Sequence, residues 1–187
     1  PTGAPPVGPA PAERNGFVTF GCFNSCAKFS RETLSAWVNI LLRVPDARLV
    51  LKGGAFCDGA IRDLFLRQFA DHGIAPGRIE LLPRSPSLAE HLNHYNALDI
   101  ALDTWPYNGT TTTCEALWMS VPLVTWCGEA HATRVGLSIL SALGIPEFAA
   151  SNWSDYIERA VTLARNPGRI VSLRKSLRDR VAKSPIC

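Results

Sequence analysis

The 187-residue chain lacks most of the local signatures that reveal a catalytic class directly. No Gly-x-Gly-x-x-Gly follows a strand-like run and no Gly-x-x-x-x-Gly-Lys-Ser/Thr is present, which removes the main support for a dinucleotide oxidoreductase or a P-loop nucleotidase. A Gly-x-Ser-x-Gly elbow is also absent, against a serine hydrolase of that type. The six cysteines, Cys22, Cys26, Cys57, Cys114, Cys127 and Cys187, include no Cys-x-x-Cys pair. They are expected as buried free thiols in a reducing compartment, neither a zinc site nor a disulfide framework. His91 and His94 lie one helical turn apart without an evident third ligand, so no metal is expected. No apolar run approaches the roughly 18 residues of a membrane span. The 19 basic residues only slightly exceed the 16 acidic ones and are scattered along the chain, so a nucleic-acid partner is not expected either. Residues 1–11 carry neither the basic start nor the apolar stretch of a signal peptide, which favours the cytoplasm.

What is present begins with a composition shift. Residues 1–15 are rich in Pro, Gly and Ala, cannot supply a periodic apolar face, and are expected to form a linker. Residues 16–187 are expected to form one lobe, and a domain that follows a linker implies a neighbour before it. From Phe17 onward short apolar runs alternate with amphipathic segments. Strands are predicted over residues 18–23, 47–53, 78–82, 98–103 and 122–126. Helices are predicted over residues 32–43, 58–72, 88–95, 111–119, 131–143, 153–165 and 167–182, with Pro45, Gly73, Gly144 and the Asn166-Pro167 pair as punctuation. This alternation implies right-handed crossovers and an α/β, Rossmann-like, doubly wound and mostly parallel sheet.

In such sheets ligands bind beyond the carboxyl ends of the strands, so three connections carry the functional reading: residues 23–30, 83–91 and 104–113. The last feeds a turn at Tyr107, Asn108 and Gly109, themselves candidate donor-binding residues, into Thr110, Thr111, Thr112 and Thr113. Four threonines in a row are poor helix interior and good helix start. Free amides, hydroxyls and the positive end of the helix dipole would converge on one spot suited to a phosphate or diphosphate. Simple N-capping by one threonine explains the run equally well. Glu115, one turn on, either accepts hydrogen bonds from a ribose diol or merely favours the helix dipole. Lys28, in the Gly/Asn/Ser-containing connection after the first strand, either reaches a diphosphate or is a surface lysine, and His91 is a candidate for stacking on a base.

The strings VTFGCFNSCAKFS, RVPDARLVLKG, SPSLAEHLNHYNALDIALDTWPYNGTTTTCEALWMSVPLVTW, HATRVGLSILSALG and the closing SPIC resemble, in order, the C-terminal catalytic lobe of the O-linked N-acetylglucosamine transferase family, nearest its bacterial, tetratricopeptide-bearing members. The resemblance implies a GT-B glycosyltransferase with this chain as the second of two lobes. It implies a UDP-GlcNAc donor, a protein Ser or Thr hydroxyl as acceptor, inversion at the anomeric carbon, and no metal or other cofactor. By the family pattern Lys28 contacts the diphosphate, and Thr110, Thr111 and Thr112 bind phosphates and sugar. Glu115 binds ribose, His91 stacks on uracil, and Ser85 lies where backbone contacts read the base edge.

Four departures stand out. Thr110 replaces a histidine, Ser25 replaces a glutamine, the segment before His91 is one residue longer, and Tyr107 falls near the N-acetyl pocket. The SPINDLY branch of the family uses GDP-fucose, which is the alternative donor, and a non-catalytic nucleotide-sugar sensor or scaffold is the alternative class. The resemblance further implies a companion lobe and helical repeats of about 34 residues upstream. Alone, this lobe is then expected to bind nucleotide weakly and to transfer no sugar.

Overall fold

The computed structural model describes residues 3–187. Six parallel strands, β1 (Thr19–Cys22), β2 (Arg48–Lys52), β3 (Ile79–Leu82), β4 (Ile100–Leu102), β5 (Leu123–Trp126) and β6 (Ala149–Ala150), form one sheet in the order β3-β2-β1-β4-β5-β6. In register, Phe20 of β1 lies between Leu49 of β2 and Ile100 of β4. Eight α-helices accompany them: α1 (Pro11–Asn15), α2 (Arg31–Arg43), α3 (Gly59–Ala70), α4 (Leu88–His94), α5 (Thr111–Trp118), α6 (Val135–Ala142), α7 (Trp153–Ala164) and α8 (Pro167–Ala182). Helix α7 packs on α2, and α8 packs on α5.

The near-continuous apolar strands follow from burial on both faces. Phe20, Leu49, Leu51, Ile100 and Val124 are fully or almost fully buried, and Trp37, Ile40 and Leu41 of α2 belong to the same buried core. Local capping fixes where the helices begin. The Ser30, Asp58, Ser87, Asn152 and Asn166 side chains each accept from amides at the first turn of α2, α3, α4, α7 and α8.

The chain crosses from one edge of the sheet to its middle between β3 and β4, so the strand order reverses at the β1–β4 pair. This is the topological switch point, where the connections after β1 and β4 diverge and leave a crevice.

Several boundaries differ from the periodicity. The segment from His131 opens as a tight 3₁₀ turn (His131–Thr133) and becomes α-helical only at Val135. There the Ala132 carbonyl accepts from the Asn108 amide at 2.9 Å, which ties this turn to the connection after β4. The two-residue β6 and the five-residue α1 are too short to show a period. Part of the Pro/Gly/Ala-rich stretch runs along the lobe: the Gly8 amide donates to Asn96 Oδ1 (2.9 Å), Arg174 Nε to the Gly8 carbonyl (2.8 Å), and the Ala12 amide to Asp99 Oδ1 (3.0 Å). Cys22 is buried as expected of a core thiol, but Cys57 and Cys187 are exposed because they fall in a helix-entry turn and at the last residue.

Candidate functional site

The connections after β1 and β4 meet over a buried carboxylate. Asp103, 2% exposed, directly follows β4 and accepts from four donors: the Gly109 amide (2.7 Å), the Thr125 hydroxyl (2.7 Å), the Thr104 amide (2.9 Å) and Asn24 Nδ2 (3.2 Å). Burial pushes its pKa up to about 6, against the lowering effect of those hydrogen bonds, of which the Gly109 amide's is the largest. One side chain thereby holds the turn before α5, the end of β5 and the loop after β1 together.

Asn108 completes the turn and is itself fully buried. Its Nδ2 donates to the Thr104 carbonyl (2.9 Å), and its Oδ1 accepts from the Gly136 amide (3.3 Å). Gly109 is required by close approach: a Cβ there would lie 2.5 Å from Thr112 Oγ1 and 2.9 Å from Asn24 Oδ1. The Asn108 side chain and the Gly109 amide are therefore consumed in building the turn and are not free to meet a ligand. What they present is the start of α5.

That start is open. Thr110 sits at the N-cap with no side-chain hydrogen bond to the helix amides, so capping by that threonine does not account for the run. Among the described residues no backbone carbonyl accepts from the amides of Thr111, Thr112 or Thr113. Thr112 and Thr113 turn their hydroxyls inward, to Asn24 Oδ1 (2.6 Å) and the Gly109 carbonyl (3.0 Å), whereas Thr110 and Thr111 are exposed. Unsatisfied amides at the positive end of a helix dipole form an anion site.

Lys28 reaches the same place from the other connection. A 3₁₀ turn (Cys26–Lys28) carries it, and its Nζ donates to the Asn108 carbonyl (3.0 Å) and lies 4.2 Å from the centroid of the Tyr107 ring. Burial lowers its pKa from the ordinary lysine value, while Asp103 acts in the opposite direction. Tyr107 is 57% exposed and forms the outer wall beside the ammonium.

On the other flank His91 and Glu115 meet directly, His91 Nε2 lying 3.0 Å from Glu115 Oε2. The Tyr95 hydroxyl donates to the Thr112 carbonyl at 3.2 Å and lies 3.4 Å from the same carboxylate oxygen. Ser85 contributes a buried hydroxyl with no hydrogen-bond partner among the described residues.

The structure thus gathers Lys28, Tyr107, Thr110, Thr111 and Thr112 around the helix start, with Glu115 and His91 one turn further on. Sequence reasoning missed Asp103, Asn24 and Lys52, whose Nζ lies 2.9 Å from His91 Nδ1. All three stand at or just after the carboxyl end of a strand, so the rule that singled out the connections contained the signal. Among the described residues no group of three or more His, Cys, Asp or Glu side chains is placed to hold a metal, and no helix is long and apolar enough to cross a membrane.

A family model described as glycosyl transferase family 41 matches residues 13–187. The chain is 46% identical to the probable UDP-N-acetylglucosamine–peptide N-acetylglucosaminyltransferase SPINDLY of Solanum lycopersicum, over 98% of its own length and 20% of that protein. It is 32% identical to the UDP-N-acetylglucosamine–peptide N-acetylglucosaminyltransferase of Caenorhabditis elegans, over 84% of its length and 13% of that protein. Among solved structures it is similar to a mutant O-GlcNAc transferase of Thermobaculum terrenum, with a TM-score of 0.87 and 39% identity, covering 96% of this chain and 35% of that one. The C-terminal domain of a group 1 glycosyl transferase from Francisella tularensis shares the fold at 14% identity and a TM-score of 0.68, covering 96% of this chain and 93% of that one. The chain spans about one fifth of the length of the SPINDLY relatives it matches.

Proposed function

Since the chain belongs to glycosyl transferase family 41, we propose that it is the donor-binding, C-terminal lobe of an enzyme that moves GlcNAc from UDP-GlcNAc to Ser or Thr hydroxyls of proteins. The observation that carries this reading is the uncapped start of α5 facing the Lys28 ammonium at the switch point of the sheet. The donor diphosphate lies there. Lys28 and the amides of Thr111, Thr112 and Thr113 neutralise the charge that grows on it as the glycosidic bond breaks, which is the role a metal ion fills in other transferases. The exposed hydroxyls of Thr110 and Thr111 bind phosphate and sugar. Glu115 accepts from the ribose diol, His91 offers a ring face to the base, the Ser85 segment lies at the base edge, and Tyr107 borders the sugar.

In the reaction the acceptor oxygen bonds to the anomeric carbon from the face opposite the diphosphate. The bond from that carbon to the β-phosphate oxygen breaks, UDP leaves with the electron pair, and the hydroxyl proton passes to a base outside this chain. The acceptor site belongs to a companion lobe, so the chain alone binds nucleotide and transfers nothing.

Calorimetric titration of the chain with UDP and with GDP tests the donor. UDP binding that exceeds GDP binding is expected, in keeping with the donor named in the designations of the family relatives above. Preference for GDP would transfer the reading to a GDP-sugar such as GDP-fucose.

A further inference from the structure

Lys52 is a lysine where lysines are rarely found: at the carboxyl end of an interior strand and 4% exposed. It is paired in register with Leu82 of β3, and its ammonium lies 2.9 Å from His91 Nδ1 and 5.8 Å from the centroid of the Phe23 ring. An ammonium has only donors, so a hydrogen bond at this distance makes Nδ1 the acceptor. That arrangement places the ring proton on Nε2. That atom lies 3.0 Å from Glu115 Oε2, so the donor faces the carboxylate.

Three groups from three elements, the end of β2, α4 and the first turns of α5, are therefore joined edge to edge. The His91 ring cannot turn freely, because Phe23 and Tyr95 stand beside it at centroid distances of 6.0 and 5.6 Å. Both of its nitrogens are engaged, so a base would meet the ring through a face. Glu115 keeps one carboxylate oxygen out of the contacts with His91 and Tyr95, since both of those use Oε2.

We propose that Lys52 is a positioning residue of the nucleoside subsite, setting the tautomer and plane of His91 so that the ring and the Glu115 carboxylate meet a nucleoside as one pre-formed unit. The inference rests on the nucleotide reading above and adds to it the residue that orders the base platform. Pre-ordering of this kind raises affinity by removing the entropic cost of fixing the two side chains on binding. A lysine is suited to the place because it donates from a buried position without presenting any acceptor that would admit the other tautomer. Burial disfavours its charge, whereas the nearby Glu115 and Glu90 carboxylates favour it.

The test compares the wild-type chain with Lys52→Met, similar in shape and without a donor, and with Lys52→Arg, which keeps one. Side-chain nitrogen NMR of His91 reads the tautomer, and calorimetry reads the binding of UDP and of inorganic pyrophosphate. Wild type is expected to show an unprotonated Nδ1 and a protonated Nε2. In Lys52→Met that single tautomer is lost and UDP binds about tenfold or more weakly, with pyrophosphate affinity unchanged. Lys52→Arg restores the tautomer and most of the UDP affinity. A protonated Nδ1 in the wild-type chain overturns the proposal whatever the variants do. Unchanged UDP affinity in Lys52→Met, or an equal loss of UDP and pyrophosphate, overturns it too. If the wild-type chain binds pyrophosphate but not UDP, the nucleotide reading itself falls and this inference with it. If wild type binds UDP and Lys52→Met is indistinguishable from it, only this inference falls.

Discussion

Replacing Lys28 with alanine is expected to weaken UDP binding to the chain by one to two orders of magnitude while leaving its thermal stability nearly unchanged. A hydrogen bond from a charged donor contributes about 1.5–3 kcal/mol, and Lys28 is the cation placed at the open start of α5. Its present partners, a backbone carbonyl and the Tyr107 ring, are modest ones that a diphosphate readily replaces. Removing the side chain leaves the turn standing, because Asp103 and Asn108 hold that turn without it. In a transferase built on this lobe as proposed, the loss in kcat should be larger, roughly 10²–10³-fold, because the charge that Lys28 would meet is greatest in the transition state. Titration of wild type and Lys28→Ala with UDP, alongside thermal melts, checks this. Equal UDP affinity would remove Lys28 from the site, and a large fall in melting temperature would make it a structural residue.

Asp103→Ala should have the largest effect on the fold of the site. Four donors converge on this carboxylate, and leaving buried donors unpartnered costs about 1–3 kcal/mol each where water does not replace the acceptor. A destabilisation of at least about 3 kcal/mol is expected, together with loss of UDP binding as the start of α5 loosens. The carboxyl also carries a pH signature. Its folded pKa of about 6 lies above the ordinary carboxylate value of about 4, so the folded protein keeps the proton that the unfolded chain has released. Stability from this group is fully present below pH 4, declines as pH rises from about 4 to 6, and levels off above. Two units correspond to about 3 kcal/mol in order of magnitude. Asp103→Asn, neutral at every pH and similar in shape, should abolish that slope while costing less than alanine. Urea unfolding of the three proteins from pH 4 to 7 gives the comparison. A profile of the same slope in all three would show that the Asp103 proton has no part in stability.

Much of the lobe was legible because its elements are long enough to show a period. Helices α2, α7 and α8 were readable from apolar spacing, with the Asn166-Pro167 pair marking the break between the last two, and the buried strands from their unbroken apolar runs. Elements α1 and β6 were not, being shorter than any period, and the 3₁₀ turn at His131 is set by a contact with Asn108 that lies far away in sequence.

The site divides along the same line. The threonine run could be read as a helix start from local chemistry, and in the structure Thr110 makes no side-chain hydrogen bond to the helix amides. Which threonines face outward depends on Asn24, from another connection. Asn108 and Gly109 read as ligand contacts, yet the Asn108 side chain and the Gly109 amide are spent inside the turn. Asp103 and Lys52 were signalled by their places at strand ends, but the contacts that give them weight come from elements that the chain brings together only when the sheet is assembled.

The proposed function requires a diphosphate between Lys28 and the first amides of α5. Titrating the isotopically labelled chain with UDP and following its amide resonances tests this most directly. Thr111, Thr112 and Thr113 are expected to shift most, inorganic pyrophosphate to move the same three, and only UDP to perturb His91 and Glu115 as well. Saturation with UDP that leaves those three amides where they were, with the changes elsewhere on the lobe, would contradict it.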